Sequence, residues 1–133
     1  MQLTGLSFDT LPTIDLPFRF FASGALMLLF AALFISINSE SIITNRWHPL
    51  LIMLVHGFTL GFISCVMIGA LIQLLPVLTG IGLNNNASWI KIAFYSYLTA
   101  TTALLVSFSY VSINLTLFLV AAYVIFLICL SNI

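Results

Sequence analysis

Residues 48–80 read HPLLIMLVHGFTLGFISCVMIGALIQLLPVLTG and contain no Asp, Glu, Lys or Arg. A helix needs about 20 apolar residues to cross a hydrocarbon core of about 30 Å, and this run exceeds that length. A strand of a transmembrane barrel would alternate over about ten residues. The run is longer and continuously apolar, so a membrane-crossing helix is expected, with Pro49 in the first turn where its missing N–H costs nothing.

Working outward, three further apolar runs cover residues 16–37, 87–108 and 113–131, and the first stretch itself counts as a span over 49–78. Polar, turn-forming sequence separates them. Asn38, Ser39, Glu40 and Ser41, with Asn45 and Arg46, part the first pair. Thr79, Gly80, Gly82 and Asn84 to Asn86 part the second, and the uncharged link 109–112 reads as a tight helical hairpin. The expected fold is an all-α integral membrane protein of four transmembrane helices in an antiparallel bundle. Residues 1–15, with Asp9, Pro12 and Asp15, read as an interfacial arm before a transmembrane domain at 16–133. The start lacks the basic residues of a signal peptide, and its first apolar run is full length. The last span reaches to within a residue or two of Ile133, which fits a small four-helix protein and equally the front part of a longer polytopic chain.

The composition agrees. Of 133 residues, 62% are hydrophobic and 5% charged, with three basic and three acidic side chains. Soluble domains carry about 25% charged residues, so a soluble enzyme is not expected. Without a basic patch, nucleic acid is not an expected partner. Lipid is, together with a second copy or other membrane subunits. Arg19 and Lys91 fall on the N-terminal side of the membrane and Arg46 on the other, which places the N-terminus inside the cell.

Ionisable groups are expensive in lipid, so the search for chemistry is short. His56 lies about 10 Å into the second helix at about 1.5 Å per residue. Its imidazole needs a partner, which a haem iron or another metal would supply. A backbone carbonyl or a Thr hydroxyl would serve as well, and is the more common answer. Beside it, Gly57, Gly61, Cys65 and Gly69 are spaced by four and form one narrow stripe. Such a stripe admits a neighbouring helix, or the edge of a flat macrocycle. His48 belongs to the interface with Trp47, about 12 Å along the axis from His56, too far for both to ligate one iron. Arg46 is placed to meet an anionic group such as a lipid phosphate or a haem propionate. Arg19 is expected to snorkel, with Gln73 and the carbonyls freed by Pro76 as structural partners on the same side. Cys65 and Cys129 read as small packing residues, the sequons at Asn86 and Asn114 as chance matches, and the tyrosines as packing and interface groups. No residue is a catalytic candidate.

The second helix resembles that of haem–copper oxidase subunit I, in which a His-(Gly/Ala)-aromatic element ligates the low-spin haem. Here His56-Gly57-Phe58 is followed by Met67, Gly69 and Pro76 in the same order, with a different His-to-Pro spacing. The haem- and copper-containing membrane proteins of the nitric oxide response (the NnrS type) show a similar progression. Leu16 to Phe21, LPFRFF, followed by a span and then the histidine helix, also resembles uncharacterised oxidase-I-like proteins of proteobacteria. The resemblance covers about one third of the chain and carries over one ligand, His56. It implies haem b held by His56 and bordered by Arg46, Gly57 and Gly61. It also implies a bacterial inner (cytoplasmic) membrane location and a link to respiration or nitric oxide metabolism. The oxidases' later ligands are absent, so a complete reductase is excluded for this chain alone. The second haem ligand would come from a second copy, a partner subunit or further helices.

Two other readings stand beside it. A cofactor-free accessory or assembly subunit is supported equally by the scarcity of charge in the spans. A small proton-coupled transporter would need a carboxylate within the membrane, and Asp15 and Glu40 both lie at or beyond span edges.

Overall fold

A computed structural model describes residues 13–44, 47–80, 87–108 and 113–131. Every element among the described residues is helical: α1 (Asp15–Thr44), α2 (Pro49–His56), a π-helical segment (Gly57–Ile63), α3 (Ser64–Thr79), α4 (Ala87–Ser107) and α5 (Ile113–Ser131). Three stretches, Asp15–Glu40, Pro49–Thr79 and Ser88–Ser107, are long and apolar enough to cross a membrane, and Leu117–Ser131 is a shorter apolar helix. α2, the π segment and α3 follow one another without a break and form a single rod.

The boundaries at 49–78, 87–108 and 113–131 agree with these elements to within a residue. The first span departs from 16–37. α1 takes Asp15 from the supposed arm and runs on to Thr44, through a non-helical Asn38 at φ −113° and ψ 20°. The Asn38 amide donates to the Phe34 carbonyl at 3.1 Å, a side-chain bond that competes with the helical ladder and bends it. The polar residues after Ile37 therefore kink the helix where a turn was expected. Residues 1–12 of the arm, and the links at 45–46, 81–86 and 109–112, lie outside the described residues.

The rod starts and stops on local chemistry. His48 has extended backbone and its Nδ1 accepts the Leu50 N–H at 3.2 Å, so it acts as the N-cap ahead of Pro49. The rod ends at Gly80, whose φ of 69° is the left-handed conformation that glycine adopts without strain, and whose N–H donates to the Pro76 carbonyl at 2.9 Å.

α1 lies against the rod along small residues. A Cβ on Gly24 would stand 3.2 Å from Cys65 Cβ and 3.3 Å from the Phe62 carbonyl oxygen. One on Gly61 would meet Met27 Cβ at 3.1 Å, and one on Gly69 the Pro17 carbonyl oxygen at 3.1 Å. The two backbones approach this closely because these positions lack side chains. At the N-terminal ends of α1 and α4, Leu16, Phe20, Ile72 and Ile90 form one buried cluster. There Phe20 sits edge-on to Phe94, with ring centroids 5.0 Å apart. A second cluster joins Cys65, Ala93, Tyr97, Phe126 and Cys129.

α5 returns along α4. Tyr97 meets Phe126 with centroids 4.8 Å apart, and Thr101 Oγ1 lies 3.4 Å from Tyr123 Oη. Among the described residues, the backbone of α5 comes close to α4 alone. Outward hydroxyls are satisfied within their own helices: Ser36 donates to the Ala32 carbonyl, Thr79 to Leu75, Thr99 to Tyr95 and Thr102 to Leu98, each at 2.9 Å. Such back-bonding lets a hydroxyl face an apolar medium without an unpaired donor.

Candidate functional site

His56 ends α2, where the rod changes from α to π winding. Its Nδ1 lies 2.8 Å from the Ile52 carbonyl oxygen. A carbonyl only accepts, so Nδ1 carries the hydrogen, and in the neutral ring Nε2 holds the lone pair. A backbone carbonyl on Nδ1 is a common way of orienting a histidine that ligates metal through Nε2, and is equally a complete structural answer for one nitrogen. The half-buried imidazole packs on Phe108 at the end of α4, with centroids 5.0 Å apart and planes inclined at 46°.

The seven-residue π segment is the least ordinary element of the fold, because π winding usually appears as single turns, often at functional sites. The Ser64 N–H and hydroxyl both reach back five residues to the Thr59 carbonyl, the hydroxyl at 3.0 Å. Thr59 Oγ1 donates to the Val55 carbonyl at 2.8 Å. From across the molecule, Tyr97 Oη donates to the Leu60 carbonyl at 2.7 Å. Tyr97 is 4% exposed, and its side chain spans the distance between α4 and the rod. The sequence marks it only as one tyrosine among four, with no spacing that singles it out.

The small-residue stripe is already filled. Gly61 faces Met27, and Gly69 faces Pro17, Phe20 and Phe21. Cys65 is 1% exposed beside Gly24, and its sulfur accepts from Ser23 Oγ at 3.7 Å. Gly57 is turned to α4, where a Cβ would meet both Leu105 methyls at 3.7 Å, an ordinary contact. Next to Gly57 an open apolar groove of about 160 Å³ is lined by Met27, Phe30, Phe34, Met53, Leu54 and Leu105, among others.

Against this geometry a haem fits poorly. His56 supplies one lone pair of suitable chemistry, but its packing partner is Phe108, and the stripe that would admit the macrocycle edge is occupied by α1. The groove at Gly57 is small beside the 300–1,000 Å³ typical of cofactor pockets. Arg46, the expected propionate partner, lies outside the described residues.

The remaining expected groups are distributed as follows. Arg19 binds Asp15 through Nη2 at 3.0 Å and Nε at 3.1 Å, and reaches Tyr95 Oη at 3.5 Å, while Gln73 lies on an exposed face of α3. The acid one turn earlier in the same helix is the nearer partner by i, i+4 geometry. Pro76 is buried inside α3. His48, expected at the interface, caps α2. No protein-family model matches the chain, and neither does a curated protein or a solved structure.

Proposed function

We propose that this chain is a cofactor-free accessory or assembly subunit of a membrane complex, with its four helices crossing the bilayer in an antiparallel bundle. Paired contacts support that direction of travel. Gly69 meets Pro17 while Gly61 meets Met27, and Tyr97 meets Phe126 while Thr101 meets Tyr123, so each pair of helices runs in opposite directions. The 31-residue rod is about 46 Å long at α-helical rise, so in a core of about 30 Å it tilts or extends into the headgroups. Arg19 and Lys91 at one end favour a cytoplasmic N-terminus of a protein in the cytoplasmic membrane.

The observation that carries the subunit role is the placement of α5. Among the described residues its backbone comes close to α4 alone, Phe126 and Cys129 share a buried cluster with Cys65, and its other faces present Leu117, Phe118, Val120, Val124, Ile125 and Leu127. Helices in lipid gain stability from close packing against other helices, and among the described residues the backbone of α5 has one such neighbour. The test is native-gel migration from mild detergent, with bulky replacements Val124→Trp and Ile128→Trp on the outward face. The wild type should run within a larger assembly and the variants as a folded lone chain. Wild-type protein that runs alone would overturn the role.

A second reading keeps the haem. It is favoured by the Nδ1–carbonyl bond of His56, which leaves Nε2 as a ligand atom. With one ligand of this chain, the other would have to come from a partner or a second copy. Reduced-minus-oxidised spectra before and after His56→Ala test it: Soret and alpha bands that vanish in the variant would establish it.

A further inference from the structure

The groove beside Gly57 and the Tyr97 hydroxyl both adjoin the π segment. π winding places one extra residue in the turn between α2 and α3. Straightening that turn to α, with α3 held still, would rotate α2 by about one residue, roughly 100°. Each side chain of α2 and the start of the π segment would then take the direction held by the residue before it. Phe58, now exposed, would take the direction of Gly57 and enter the groove against Leu105. His56 would leave Phe108 and take the exposed direction of Val55.

The groove suits this. It holds about 160 Å³ and is lined by Met, Phe, Leu, Ala and Gly. An apolar cavity of about 150 Å³ accepts a benzene ring. In the direction of Gly57 there is room for a Cβ, which would meet both Leu105 methyls at an ordinary 3.7 Å, and the ring beyond it would lie in the groove. The bonds Thr59–Val55 and His56–Ile52 turn with α2, whereas Ser64 to Thr59 spans five residues, belongs to the π register and gives way when the turn straightens, passing the Ser64 N–H to the Leu60 carbonyl. Tyr97 Oη to Leu60 is a hydrogen bond that ties the segment to α4, and it holds the carbonyl that α winding would give to the Ser64 N–H.

We propose that the rod is a two-register switch, in which Tyr97 latches the π register and Phe58 occupies the groove at Gly57 in the straight register. The switch moves His56 between the Phe108 ring and the exposed face of the protein.

The test is nuclear magnetic resonance of the full chain in micelles, with labelled histidine and phenylalanine. The chain has two histidines, and His48→Gln assigns them. Wild type should give a dominant His56 signal with a cross-peak to the Phe108 ring. Tyr97→Phe removes the latch and keeps the ring, and losing one hydrogen bond should raise the straight register about fivefold. A second His56 signal should appear without the Phe108 cross-peak, together with contacts from Phe58 to the Leu105 methyls. Adding Leu105→Phe to fill the seat should abolish it. A Tyr97→Phe variant with a single His56 signal at wild-type shifts would overturn the proposal. If Tyr97→Phe fails to fold, relaxation dispersion on the wild type decides. Millisecond exchange in residues 49–63 with a quiet α3 supports the switch, and a flat profile in both overturns it.

Discussion

Alanine at each glycine of the stripe separates seating of α1 from mere helix composition. Gly→Ala in a helix is favourable by about 1 kcal/mol from backbone entropy wherever the methyl finds room. That gain is common to all positions and cancels in a comparison. At Gly57 the new Cβ meets Leu105 methyls at 3.7 Å, so the gain survives. At Gly69 it meets Phe21 Cε1 at 3.1 Å, Phe20 Cβ at 3.2 Å and the Pro17 carbonyl oxygen at 3.1 Å. The first is the rim of a ring that can tilt. The last is backbone, and relieving it means moving α1 off the rod. Overpacking of this kind costs about 1–3 kcal/mol. Gly69→Ala should therefore be less stable than Gly57→Ala by about 1–3 kcal/mol, with Gly61→Ala, facing Met27 Cβ at 3.1 Å, closer to Gly69. Reversible unfolding in mixed micelles, followed by far-ultraviolet circular dichroism, measures the difference. Equal stabilities at Gly57 and Gly69, or the reverse order, would refute the seating of α1 on this stripe.

Three other outcomes follow from the same geometry. Phe20→Ala removes a ring that is 1% exposed and edge-on to Phe94, and should cost about 3–5 kcal/mol in the same unfolding assay. His48→Ala removes the acceptor of the Leu50 N–H and should cost about 0.5–1 kcal/mol, with amide exchange rising at Leu50 and the first turn of α2 but not in α3. Asp15→Asn breaks an ion pair whose partners are 34% and 62% exposed, so the unfolding midpoint should barely move, and less still at high salt.

The helices were legible because hydrophobic length is a one-dimensional signal. The runs at 49–78, 87–108 and 113–131 name elements that the structure reproduces to within a residue. At Asn38 the expected break falls on the non-helical residue where two helical stretches meet; its amide finds the Phe34 carbonyl, so the chain kinks there and a second helical stretch follows to Thr44. The stripe was legible as a place of close approach, but its occupant was not. Spacing by four says that something comes near, and only the three-dimensional arrangement puts Met27, Pro17 and Phe20 there. Tyr97 and the π segment left no mark in sequence, because both depend on a carbonyl made available by winding that sequence periodicity does not encode. Arg19 was assigned a distant partner, although Asp15 stood one turn away in sequence and the i, i+4 rule already favoured it.

Native mass spectrometry of the protein released from its own membrane in mild detergent tests the subunit role most directly. One spectrum weighs any partner and any haem together with the 14.6 kDa chain. The expected result is the chain inside a heavier assembly that yields a haem-free chain when dissociated. A lone chain, or a chain that keeps a haem on release, would contradict it.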